Sequence, residues 1–151
     1  MKVELMGSEP DVWMLAGRVL IAAMLGAALG LEREWRGKEA GLRTNTLIAI
    51  GAALFTAVSI MFQTSPDRIA AQVVTGVGFL GAGAIMRNGT TIQGLTTAAM
   101  IWVNAAVGVA VGAGFVRLAV ATTVIVLAAM VLLTPLDRLL DRRRPGRSEH
   151  E

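Results

Sequence analysis

Between Arg43 and Arg117 the only ionisable side chains are Asp67, Arg68 and Arg87, and from Leu118 to Pro135 there are none. A helix rises about 1.5 Å per residue, so roughly 20 apolar residues cross about 30 Å of hydrocarbon. This chain of 151 residues supplies that length several times. Its apolar stretches are apolar all round, without the polar face that a surface helix of a water-soluble protein carries. A composition of 54% hydrophobic and 17% charged residues agrees. The expected fold class is therefore all-α: a polytopic membrane helix bundle of about five transmembrane helices.

The expected spans run from about Val12 to Leu31, Asn45 to Phe62, Ile69 to Met86, Leu95 to Ala113 and Val116 to Thr134. Pro10 and Asp11 suit the start of the first span, Asp67 suits an N-cap of the third, and Thr44 or Asn45 suits one of the second. Pro135 and the arginines after it are expected to stop the fifth. Turn residues such as Arg87-Asn88-Gly89 mark the joints. Three regions follow: an outer segment 1–10, a five-helix transmembrane domain 11–135, and an arginine-rich cytoplasmic tail 136–151.

Five spans put the termini on opposite sides. With the N-terminus outside, the inner side holds Arg33, Arg36, Lys38, Arg43, Arg87 and the tail's Arg138, Arg142, Arg143, Arg144 and Arg147. The outer side then keeps only Lys2, Arg68 and Arg117, with Arg18 inside the first span. The positive-inside rule selects this orientation, N-terminus out and C-terminus cytoplasmic. The net charge of +3 thus belongs to a face meeting anionic lipid rather than nucleic acid.

The fifth span is almost uniformly Val, Leu, Ile and Ala and is expected to face lipid. Elsewhere small residues repeat every fourth position, as Ala22-Gly26-Gly30 and Gly108-Gly112 do. Such ridges let helix backbones approach closely in lipid, and they are compatible with a homo-oligomer as well as with internal packing. Gly76-Val77-Gly78-Phe79-Leu80-Gly81 matches the GxGxxG dinucleotide fingerprint letter for letter. That motif works only after a strand, at a helix N-terminus and with a carboxylate about 20 residues on. None of these contexts is present, so the glycines are read as helix packing.

The polar residues inside this apolar frame are the candidate sites. Arg18 lies about 10 Å into the first span. It either snorkels to the headgroups or pairs with Asp67. Three span ends meet the inner surface and carry Glu32, Arg33 and Glu34, then Arg43 and Thr44, then Thr96 and Thr97, with Arg87 nearby. Glu32 and Glu34 are expected to pair with Arg43 or Arg87, as a collar that orients helix ends or as a functional polar cluster. Deeper, Gln72 and Thr75 share one side of the third span, and Thr97, Asn104 and Val111 share one side of the fourth. They serve either as interhelical hydrogen bonds or as the lining of a path. No carboxylate lies in the central membrane region of any span, which argues against a route for a hard cation such as Mg²⁺. There is no cysteine, and the single histidine is His150 near the end of the chain. No nucleophile has a base within motif spacing, and neither an enzyme nor a bound cofactor is expected.

The segments Gly30-Leu31-Glu32-Arg33-Glu34, Ala40-Gly41-Leu42-Arg43-Thr44, Arg68 to Val74, Gly76 to Gly83, and Gly94 to Ala99 with Trp102 occur in order. In them the chain resembles the MgtC/SapB family of bacterial inner-membrane proteins. The resemblance implies a five-helix membrane domain linked to survival under low magnesium, acid or intracellular stress. It also implies a mode of action, restraint of the F-type ATP synthase, with magnesium transport as the older and weaker idea. Well-known family members carry a small soluble C-terminal domain of ACT-like type. Here an arginine-rich tail stands after the fifth span, so a role that needs such a domain is not expected to transfer. Two functions are weighed on these grounds, ahead of a third and weaker reading as an accessory membrane subunit with only structural duties. The first is a non-catalytic regulator acting through a membrane-protein partner. The second is a transporter or channel for Mg²⁺ or another small solute, lined by Gln72, Thr75, Thr97 and Asn104.

Overall fold

A computed structural model describes residues 12–61 and 66–141 of the chain. Five helices account for almost all of them: α1 (Val12–Trp35), α2 (Leu42–Met61), α3 (Pro66–Gly83), α4 (Leu95–Gly112) and α5 (Val116–Asp141). Among the described residues, four of these helices, α1, α2, α4 and α5, are long and apolar enough to cross a membrane. In α3 the described apolar part is Ala71–Gly83. The expected all-helical membrane bundle is the observed architecture, with one addition. Met86–Asn88 and Thr91–Gln93 pair as the antiparallel strands β1 and β2 between α3 and α4, in the register Arg87↔Ile92.

Several boundaries differ from the sequence reading, each for a local reason. α1 continues past Leu31 to Trp35, because its last turn places Arg33 at the negative end of the helix dipole. α2 starts at Leu42 rather than Asn45, and neither Thr44 nor Asn45 is its cap. Instead the Glu34 carboxylate accepts the Leu42 N–H at 3.0 Å. α3 stops at Gly83, so Met86 belongs to the hairpin and not to a helix. α5 runs through Pro135 to Asp141. A proline costs a helix one backbone donor and crowds the preceding turn, and this helix absorbs both.

Helix α2 is the centre of the bundle, held between α1 and α4. A Cβ built on Gly26 would lie 2.6 Å from Ala49 Cβ, and one built on Gly108 2.5 Å from Ala49 O. At Gly112 the distance to Ala53 O would be 2.4 Å, and at Gly30 the distance to Leu42 Cα 2.8 Å. Both small-residue ridges are therefore spent inside the protomer, against α2. In lipid such dispersion contacts, rather than exclusion of water, hold helices together. The core that results is made of Ala22, Leu29, Ala49, Ala53, Val107, Val111 and Ala119. α3 packs outside it, through Val77 against Ala52, Ile101 and Ala105. α5 also lies at the periphery, and its Val124, Ile125 and Leu132 are exposed.

Two glycines are required by backbone geometry. Gly94 caps α4 at φ +84°, where a Cβ would also meet Ala84 O at 1.9 Å. Gly114, at φ +91°, ends α4 in a Schellman motif, with Phe115 N donating to Ala110 O at 2.8 Å and Gly114 N to Val111 O at 2.9 Å.

Candidate functional site: the polar end of the bundle

The C-terminus of α1, the N-termini of α2 and α4, and the β-hairpin share one end of the bundle. Arg33 is the largest fully buried side chain, 2% exposed, and its Nη2 donates to Thr97 Oγ1 at 2.9 Å. Arg33 sits one turn after Gly30, which brings α1 onto α2. Thr97 sits in the first turn of α4, so this bond ties the two outer helices of the core across the end of α2. Arg33 Nε is buried without an acceptor among the described residues.

Glu32 meets Arg36 rather than Arg43 or Arg87: Arg36 Nε lies 2.5 Å from Glu32 Oε1, an ion pair without hydrogen-bond geometry. Arg36 Nη1 donates to Thr134 Oγ1, which fastens α5 to the end of α1. Glu34 takes the cap of α2 described above, an anion at the positive end of a helix dipole. The expected carboxylate pairing with the neighbouring helices' arginines is thus replaced by contacts local in sequence. The reason is reach: Glu32 and Arg36 are one helical turn apart on one face. Arg43, Thr44 and Thr96 are exposed, and Arg87 Nε donates to Gly89 O within its own hairpin at 3.0 Å. The sequence-picked residues therefore separate into a buried foundation (Arg33 and Thr97, with Glu32 half-buried beside them) and an exposed rim (Arg43, Thr44, Arg87, Thr96).

Deeper in the core, Asn45 and Asn104 are completely buried and form a second polar contact. Asn45 Nδ2 donates to Ala40 O at 2.7 Å and to Gly41 O at 3.0 Å, pinning the α1–α2 loop. Asn104 Nδ2 donates to Asn45 O and to Asn45 Oδ1. Thr97, Asn104 and Val111 are all buried on one side of α4, at the seam with α1 and α2. Gln72 and Thr75 lie elsewhere, exposed on α3, with Thr75 Oγ1 turned back to Ala71 O.

At the opposite end Arg18 Nη1 donates to Gly112 O at 3.2 Å, and the guanidinium packs beside Gly114. It thereby satisfies an orphan carbonyl of the α4 C-terminus and complements its dipole. The expected partner, Asp67, lies outside the residues whose side chains are described. Sequence reasoning missed Arg36–Thr134, because a contact 98 residues apart leaves no local signal. It also missed the pair Trp13 and Trp35, 83% and 85% exposed. Along α1 they are about 33 Å apart, the separation of two interfacial aromatic belts.

Four apolar spanning helices, a glycine-stitched core and polar groups gathered at the helix ends define a multi-pass membrane protein. More narrowly, the chain belongs to the MgtC family, whose family model matches residues 19–139. It is 53% identical over 118 residues to Protein MgtC of Salmonella typhimurium, covering 76% of this chain and 50% of that protein. It is 49% identical over 122 residues to Protein MgtC of Brucella abortus, covering 80% of this chain and 51% of that protein. It is 47% identical over 136 residues to the uncharacterized protein slr0014 of Synechocystis, covering 89% of this chain and 58% of that protein. The chain thus spans about half the length of the curated relatives it matches. No solved structure matches it.

Proposed function

We propose that this chain is a non-catalytic regulator in magnesium homeostasis and stress adaptation, acting on a membrane-protein partner through its polar end. The orientation is N-terminus outside and C-terminus cytoplasmic in the bacterial inner membrane, so the polar end faces the cytoplasm. The observation that carries the reading is the separation of four polar residues. A transport path would bring Gln72, Thr75, Thr97 and Asn104 to one lining. Instead Thr97 and Asn104 are sealed in the α1–α2–α4 seam, while Gln72 and Thr75 are exposed on α3. The seam is closed by backbone contacts at Gly26, Gly108 and Gly112. What the bundle does offer is the exposed rim of Arg43, Thr44, Arg87 and Thr96, held in place by the buried Arg33–Thr97 bond.

The partner proposed from the family resemblance is the F-type ATP synthase. The test pairs two assays. Purified protein in liposomes is assayed for Mg²⁺ and proton flux, and ATP-driven proton pumping is followed in inverted vesicles that overproduce it. Reduced pumping without intrinsic flux is expected, and Arg43→Ala with Arg87→Ala should restore pumping. Robust flux from the protein alone would establish the transporter reading instead.

A further inference from the structure

The outer surface of the bundle has two different walls. On one side α5 presents Val124, Ile125 and Leu132, side chains that lipid covers without cost. On the other, α2 and α3 leave an open groove of about 570 Å³ between them, lined by Ile48, Gly51, Phe55, Gln72, Gly76 and Leu80 among others. Gln72 is the polar exception in this groove, and its amide has no hydrogen-bond partner among the described residues. It lies within the apolar stretch Ala71–Gly83, where acyl chains offer neither donor nor acceptor.

We infer that this groove is where two copies of the chain meet in the bilayer, α3 against α3, with the two Gln72 amides bonded to each other. Two observations select a second copy over lipid. A primary amide carries both donor and acceptor, so two glutamines related by a two-fold axis satisfy one another, as an isologous contact requires. A Cβ at Gly51 or Gly76 would meet nothing within 4 Å, so a second helix can approach closely at both. The ridges at Gly26, Gly30, Gly108 and Gly112 are already used inside the protomer, which leaves the α2–α3 face for this contact. This inference stands apart from the regulator reading, because it concerns the purified chain with itself.

The absence of cysteine makes the test direct. Gly76→Cys and Leu80→Cys, each the only cysteine, are reconstituted in phospholipid vesicles at high lipid-to-protein ratio and oxidised with copper-phenanthroline. Leu132→Cys on α5 is the reference. Variants are scored once their detergent-solubilised melting matches that of the unsubstituted chain, and two groove positions guard against one that does not fold. At least tenfold more covalent dimer is expected from a groove cysteine than from position 132. Adding Gln72→Leu should cut that yield at least fivefold, and Gln72→Asn should retain most of it. Equal yields from the groove and α5, or a groove that lipid fills and that never cross-links, would overturn the inference. A yield indifferent to Gln72→Leu would overturn the amide pairing.

Discussion

Arg33 shows how one residue can hold a membrane bundle in register. A buried guanidinium is expensive unless its donors are used, and Thr97 Oγ1 is the acceptor that the fold supplies. Replacing Thr97 with valine keeps the shape and removes the acceptor. Thr97→Val should destabilise the protein by about 1–3 kcal/mol, and Thr97→Ser by much less. Unfolding in mixed micelles by titration with dodecyl sulfate measures both. Equal stability of the valine variant and the parent would mean that Arg33 is held by something other than Thr97. The identity of Arg33 as a polar residue at a helix end was legible in the sequence, and so was that of Thr97. Their pairing was not, because 64 residues separate them and nothing local distinguishes Thr97 from the exposed Thr96. Only the rotation of α4 about its axis decides which of the two threonines faces inward.

Among the elements, α4 and α3 use glycine in opposite ways. On α4, Gly108 meets the α2 backbone, so a methyl there must displace Ala49 O. On α3, Gly78 has nothing within 4 Å of a built Cβ. Gly108→Ala is therefore expected to cost about 1–3 kcal/mol through overpacking. Gly78→Ala should be neutral or slightly stabilising, since alanine is the better helix former. The same micelle titration compares them, and a Gly78→Ala variant that loses as much as Gly108→Ala would show that α3 is packed closely on its outer face. The repeat Gly108-Gly112 announced a contact ridge by its spacing. The richer pattern Gly76-Val77-Gly78-Phe79-Leu80-Gly81 looked more informative, but of its glycines only Gly81 comes near a neighbour, Ala98, and the inward contact is made by Val77. Spacing identifies a smooth helix face, but whether a neighbour occupies that face depends on the remaining helices.

For the whole molecule, the aromatic residues at both ends of α1 and the polar end of the bundle mark two membrane interfaces. The proposed orientation predicts which is which. In intact cells a membrane-impermeant maleimide should label Phe115→Cys, at the α4–α5 joint, and leave Thr91→Cys in the hairpin unlabelled. In inverted vesicles the pattern should reverse. Labelling of Thr91→Cys from outside would turn the molecule over and move the exposed rim away from the cytoplasm.

That the chain is a bundle of membrane helices was determined by the sequence alone, because the length of an apolar run is a local property and the bilayer sets the required length. The separation of small-residue ridges from a uniformly aliphatic α5 was local too. Tertiary structure decided the rest. It made α2 the centre, put α3 outside the core, and sent the Arg18 guanidinium to Gly112 O. It also divided the inner polar residues into a buried foundation and an exposed rim. These are questions of which helix neighbours which, and in lipid that choice rests on close packing and a few hydrogen bonds summed over distant segments. No single stretch of sequence contains both sides of such a contact.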